Sequence, residues 1–163
     1  MPNITFVRQL DVPSMLVNTL DGSVRITAND TTLAIMVLEY KNGIVVNKLY
    51  TVDIASGATN VGNVTDSYVF ITKPHIKLDV DNVLLLAHQP GVAVDDDVPV
   101  GAITLEFIKL TTTKGASYET RGSHVIYIRQ FTRLFVDLMR SGSIIVASSS
   151  SDDETDVQEY SSE

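Results

Sequence analysis

Short apolar runs separated by turn residues make up most of the chain, a pattern typical of β-strands joined by tight turns. The clearest signal is Asn42-Gly43, which lies between Thr32–Tyr40 and Ile44–Ile54. Asn-Gly readily adopts the positive φ angles of a type I′ turn, so the two segments are predicted to form a β-hairpin. The first arm is apolar throughout Leu33–Leu38, which predicts a central strand buried on both faces.

The second arm of this hairpin alternates between apolar and polar positions. One predicted face carries Ile44, Val46, Tyr50, Val52 and Ile54, and the other includes Asn47, Thr51 and Asp53. Further strands are predicted at Met15–Leu20, Ser23–Thr27, Tyr68–Thr72, His75–Val80, Val83–Ala87, Ala102–Thr111 and Ile144–Val146. Turns or loops are predicted at Asp21-Gly22, Gly57–Gly62, Asp79–Asn82, Pro90–Gly101 and Lys114-Gly115.

Many short strands separated by turns predict a mainly β fold, either an antiparallel β-sandwich or a jelly-roll-like barrel. The side chains expected in its core are Leu33, Ile35, Val37, Phe107, Phe131, Leu134 and Leu138.

One segment favours a helix. Between Ile128 and Arg140 the apolar residues recur at helical spacing, with Arg129, Arg133 and Arg140 on the opposite side. Gly142 suits the position just after a helix. A strand would place Arg129, Arg133 and Asp137 on the same face as Phe131 and Phe135, so the sequence predicts an amphipathic helix over 128–140.

Charge divides the chain into two parts. Residues Ser148–Glu163 hold six of the 20 acids and no base, which leaves 14 acids and 12 bases in residues 1–147. This predicts a β-rich globular domain over 1–147 and an acidic Ser/Asp/Glu tail over 148–163.

Composition also bounds the partners and the cellular location. The net charge of −8 argues against general nucleic-acid binding, which needs clustered Lys and Arg, and favours a basic protein as partner. No apolar run is long enough for a membrane span, and no signal peptide is evident. The expected location is therefore intracellular, or within a virion, without membrane contact.

The chemical motifs of enzymes are incomplete. Gly57 and Gly62 have the spacing of a phosphate-binding loop, but Asn63-Val64 follow where the motif needs Lys and then Ser or Thr. The segment starting at Gly115 lacks the second glycine of a nucleophile elbow. The chain has no cysteine, and its three histidines have no paired spacing. No catalytic residue and no cofactor are predicted.

Acidic clusters provide two weak metal candidates. The better one is Asp95, Asp96 and Asp97, because three adjacent carboxylates need neutralising if they are ordered. Asp79–Asn82 is interpreted as a turn, since Asp and Asn hydrogen-bond to their own backbone.

The leading functional hypothesis is a non-enzymatic structural subunit of a larger assembly, such as a small capsid, decoration or tail protein of a virus or phage. Its partners would be copies of itself or other subunits. The alternative is an acidic-tailed β-sandwich module that binds basic proteins, and a third class is a small-ligand-binding β-barrel or a hydrolase using Asp pairs. The residues assigned to partner binding are Arg129, Arg133 and Arg140 on one subunit and Asp152, Asp153, Glu154 and Asp156 on another, as oppositely charged surfaces.

Overall fold

The computed structural model describes residues 2–9, 24–41, 44–63, 74–88, 102–127, 133–149 and 155–161. These residues form three antiparallel sheets. Sheet A has the order β1 (Arg25–Ala28), β2 (Thr32–Lys41), β3 (Ile44–Asp53) and β4 (Thr59–Asn63). Sheet B has the order β5 (His75–Leu78), β6 (Val83–His88), β7 (Ala102–Lys109) and β8 (Glu119–Tyr127). Sheet C has the order β11 (Thr155–Tyr160), β10 (Ile144–Ser149) and β9 (Arg133–Leu138).

The mainly β prediction is confirmed, and so is the strongest hairpin. β2 and β3 pair antiparallel, and Lys41 and Ile44 are register partners at their adjoining ends. The prediction that β2 is a central strand is also confirmed. Ala34 and Met36 enter one apolar cluster, whereas Ile35 and Val37 enter another.

Two apolar clusters hold the sheets together. In the first, Ala34, Met36 and Leu49 of sheet A contact Leu84 and Leu86 of sheet B. In the second, the intervening residues of β6 and one face of β7 contact sheet C; the buried members are Leu85, Ala87, Ile103, Leu105, Ile144 and Val146. Because β6 contributes to both clusters, sheet B packs against sheet A on one face and sheet C on the other.

The helix predicted over 128–140 is wrong for the part that the structure describes, because residues 133–138 are strand β9. Leu134, Val136 and Leu138 pack inward against the second cluster, and Phe135 points outward. Leu134 and Leu138 are four residues apart, a spacing that fits one face of either a strand or a helix. The decisive factor is β10, which pairs with β9 along its whole length and satisfies its backbone groups.

Gly142 has a positive φ of 89°, but it belongs to a hairpin turn between β9 and β10. Its N–H donates to the carbonyl oxygen of Met139 at 2.9 Å. A left-handed glycine after an apolar segment is compatible with a helix end and with a tight turn, so this residue did not distinguish between them.

The remaining strands of sheet B lie close to their predicted positions. The strands at His75–Val80, Val83–Ala87 and Ala102–Thr111 are present as β5, β6 and β7, and residues 79–82 and 114–115 lie in turns. Gly57–Gly62 was predicted to be a loop, but Thr59–Asn63 form β4. Ile144–Val146 begin β10, although β11 follows it as a further strand. The strands predicted at 15–20 and 68–72, the loop at 90–101 and Phe131 lie outside the described residues.

The polar face of β3 is buried. Thr51 Oγ1 donates to the carbonyl oxygen of Thr111 at 2.6 Å. Asn60, on β4, donates through Nδ2 to the carbonyl oxygen of Ala116 at 2.9 Å and accepts from the Gly115 N–H at 3.0 Å. These bonds fix the connection between β7 and β8 to sheet A. They also give the buried polar side chains hydrogen-bond partners in place of water.

Candidate functional site

The outer face of sheet C carries a row of apolar side chains. Phe135, Ala147 and Val157 lie side by side across β9, β10 and β11, because Ala147 is the register partner of both others. Phe135 and Val157 are 62% and 65% exposed. On one side of this row lie Asp137, the half-buried Ile145 and Glu159, and on the other side lie Ser149 and Thr155, so most of the rim is polar. An apolar centre with a polar rim is the usual composition of a protein–protein contact surface.

Phe135 also contacts His75 of β5. The two rings meet edge to face, with their centroids 6.4 Å apart. Burial lowers the pKa of His75 below its usual value of 6.5, and the nearby Arg25 guanidinium lowers it further, while a hydrogen bond with the Leu134 backbone opposes both effects. A neutral histidine therefore joins β5 to the edge of sheet C.

The strand that completes this face comes from the acidic tail. Composition placed a domain boundary between residues 147 and 148, but β10 continues through it to Ser149, and Thr155–Tyr160 pair with β10 as β11. The sequence signal was weak: Val157 and Tyr160 are the only apolar or aromatic residues of β11, and they fall on opposite faces of the strand. The density of acids concealed it, since such composition usually indicates a solvated segment.

The residues that the sequence assigned to partner binding do not share one helical face. Arg140 is exposed in the turn after β9, and Arg133 begins that strand, about 17 Å from its other end. Asp156 lies on β11 opposite Ser148. Arg129, Asp152, Asp153 and Glu154 lie outside the described residues. Their binding roles stay predictions.

An open cleft lies where the β9–β10 turn overhangs the end of sheet B. Its volume is about 1320 Å³, and its charged lining residues are Lys77, Lys109, Arg121, Arg140, Asp30, Asp79 and Asp81. Several of these charges already have partners. Lys77 Nζ lies 3.6 Å from the Asp137 carboxylate, Arg121 lies 3.5 Å from Glu119, and the Lys109 amine donates to the Asp81 carbonyl oxygen. The cleft therefore offers no concentrated charge of one sign.

The Asp79–Asn82 segment forms a turn, as predicted. The Asp79 carboxylate accepts the N–H groups of Asp81 and Val83, both at 2.8 Å. Asn82 has a positive φ of 61°. The Asp79 side chain thus stabilises the turn between β5 and β6, and the hydrolase hypothesis gains no free carboxylate pair from it.

A histidine and a carboxylate meet between β6 and β7. His88 Nε2 lies 3.3 Å from Glu106 Oε2. The His88 side chain is only 1% exposed, so a substrate could not reach its ring without a rearrangement. This geometry matches a diagonal cross-strand pair that ties two neighbouring strands together.

No group of three His, Cys, Asp or Glu side chains in the described ranges could hold a metal ion. The predicted candidates Asp95, Asp96 and Asp97 lie outside these ranges. The described residues also contain no helix that could span a membrane.

Comparison with known proteins gives no relative for this chain. No family model, no curated protein and no solved structure matches it.

Proposed function

We propose that this protein is a non-enzymatic structural subunit that assembles with copies of itself or with other subunits, as a small capsid, decoration or tail protein of a virus or phage does. The observation that carries the proposal is the exposed apolar row on sheet C. A contiguous exposed apolar patch with a polar rim commonly marks a protein–protein contact. Sheets packed through separate apolar clusters also favour the sandwich over the jelly-roll-like barrel, because a closed barrel would have one continuous interior.

Size limits what this row can do alone. Three six-residue strands cover roughly 17 Å by 10 Å, which is far less than the ~800 Å² per partner of a stable interface. The outer face of sheet C therefore serves as the centre of a contact, and further surface must contribute to its stability.

Imaging of the purified chain tests the proposal. The expected result is particles or oligomers of uniform size that become smaller when Phe135 and Val157 are both changed to Ser. A matched control is Val80→Ser, which removes another exposed valine, from the turn between β5 and β6. Discrete single subunits at every concentration tested would contradict the proposal.

A second candidate, an acidic module that binds basic proteins, is favoured by β11. This strand is at the edge of sheet C and carries Asp156 and Glu159, so a basic peptide could pair with its backbone and meet both carboxylates. The test is titration with a Lys-rich peptide at low and high salt. Changing Asp156 and Glu159 to their amides keeps the backbone edge of β11, and this candidate predicts weaker, less salt-sensitive binding for that variant.

A further inference from the structure

We propose that Asn3–Val7 of one copy pair, as an added strand, with the Ser123–Tyr127 edge of β8 in a second copy. This inference rests on the proposed function, because it supplies the additional contact surface that sheet C lacks. Two independent observations lead to it: an apolar segment without cover and a sheet edge without protection.

The first observation concerns Pro2–Gln9, here called the arm. Ile4, Phe6 and Val7 are 100%, 80% and 87% exposed. Near its far end the arm contacts the turn between β3 and β4, where the Arg8 guanidinium donates to the Ile54 carbonyl oxygen. Asn3–Val7 contain β-branched and aromatic residues and no charge, which favours an extended strand. Such a segment gains stability by placing its apolar side chains against another surface.

The second observation concerns the edges of the sheets. β5 contacts both β1 and β9, which leaves β4, β8 and β11 as the edges without a strand beside them in the part of the chain that the structure describes. Exposed edges are normally protected by charges, bulges or short length. β11 carries two acids in six residues, and β4 has only five residues, one of which is Gly62.

β8 is protected only in its first half. Glu119 and Arg121 are charged, and the register with β7 shifts where Gly122 and Thr120 face successive β7 residues, so Arg121 sits at a bulge. Ser123–Tyr127 have no Asp, Glu, Lys, Arg or Pro and no shift in register. Val125 and Tyr127 are exposed on this half. Among the three edges, this stretch best accommodates an incoming strand.

The arm and this edge match in length and side-chain pattern. Each segment has five residues. In an extended arm Ile4 and Phe6 share a face, and in β8 Val125 and Tyr127 share a face. Pairing the two segments covers these four side chains together and satisfies the outward backbone groups of both. Two β8 edges could also pair, but that arrangement would leave the arm exposed.

Donation of an arm to a different surface is a head-to-tail contact. Each copy then gives one arm and receives another, so the contact produces a ring if the rotation closes and a filament if it does not.

Site-directed disulfides test the contact directly, because the chain has no cysteine of its own. Phe6→Cys chains are mixed in equal amounts with Val125→Cys or Tyr127→Cys chains under mild oxidation. Side chains on adjacent strands lie within disulfide range, so a cross-linked heterodimer is expected to exceed either homodimer severalfold in at least one mixture. The control is Phe6→Cys mixed with Val80→Cys, an exposed valine outside the proposed contact.

The possible failures are distinguishable. Equal cross-linking to Val80→Cys, or predominance of the Val125→Cys homodimer, would overturn the arm contact even if the wild-type chain assembles. A chain carrying both Phe6→Cys and Val125→Cys that closes only on itself would show that the arm covers its own edge, and would overturn donation to a second copy. A wild-type chain that is monomeric at every concentration would overturn the proposed function itself.

Discussion

Tyr118, just before β8, connects sheet B to sheet A through its hydroxyl group. Its hydroxyl has three acceptors in reach: Leu49 O at 3.1 Å, Asn60 O at 3.2 Å and Thr51 Oγ1 at 3.1 Å. Thr51 gives its own proton to Thr111, so Tyr118 is the donor in their contact. Burial raises the pKa of Tyr118, while its bonds to Thr51 and Asn60 oppose that shift. The phenol is therefore held as a neutral donor.

The Tyr118 ring also explains Gly62. A Cβ atom at Gly62 would lie 2.9 Å from Tyr118 Cε2, closer than normal van der Waals contact. We expect Gly62→Ala to lower the free energy of unfolding by about 1–3 kcal/mol, because the ring would have to move within a packed interface. The measurement is chemical denaturation. In a Tyr118→Ala background the same substitution should cost less than about 0.5 kcal/mol, since alanine also restricts the unfolded chain. An equal loss in both backgrounds would contradict this account.

The His75 ring predicts a pH dependence of stability. Its pKa is lowered from 6.5 in the folded chain, so the unfolded chain binds the proton more tightly. The free energy of unfolding should therefore decrease as the pH falls below about 6.5, and the loss should level off once the pH is below the folded pKa. Denaturation of wild-type protein and His75→Gln at pH 7.5 and 5.5 measures this contribution. A wild-type loss no greater than that of the variant would contradict it.

At the scale of single elements, a helix and a strand over β9 would bury different side chains. In the strand, Val136 faces the second apolar cluster, whereas in a helix over 128–140 it is not among the apolar residues that define the buried face. We expect Val136→Ala to cost about 1–2 kcal/mol in unfolding free energy from lost apolar contact. Val157→Ala removes the same atoms from an exposed site and should cost less than about 0.5 kcal/mol. Similar losses at both positions would argue against the inward face assigned to β9.

Local signals were sufficient for much of sheets A and B. The β2–β3 hairpin, the apolar runs of β2 and β6 and the Asp79 turn each depend on residues close together in the sequence, and each is present in the structure. The strands of sheet C could not be predicted from local sequence in the same way, because they depend on pairing with one another. β9 carries leucines at a spacing that two periodicities share, and only pairing with β10 decides between them.

The candidate site could be predicted less well than the fold. Phe135 and Val157 are 22 positions apart, and they become neighbours only because β9 and β11 pair with opposite sides of β10. The helical interpretation of Phe135 and the acidic composition around Val157 both pointed away from a shared apolar face. The burial of Asn47 and Thr51 likewise required knowledge of what packs against β3.

At the scale of the whole molecule, two surfaces remain to be covered. The outer face of sheet C presents Phe135 and Val157, and the arm presents Ile4 and Phe6. Sheet C also carries part of the predicted contact between Arg and acidic residues. The chain leaves β10 at Ser149 and returns at its register partner Thr155, whereas Arg140 lies beyond the other end of β10, about 17 Å away. The contact of Arg140 with Asp152, Asp153 and Glu154 of a second copy stays a prediction.

Sedimentation velocity of the full chain over a wide range of concentration tests the central claim most directly. The account predicts a mass that rises with concentration above that of the 17.8 kDa single chain. Changing Phe135 and Val157 to Ser should move the association to concentrations about tenfold higher or more, corresponding to roughly 1.4 kcal/mol of lost contact, while Val80→Ser should leave it unchanged. A wild-type chain that sediments as a single 17.8 kDa species at all concentrations would contradict the account.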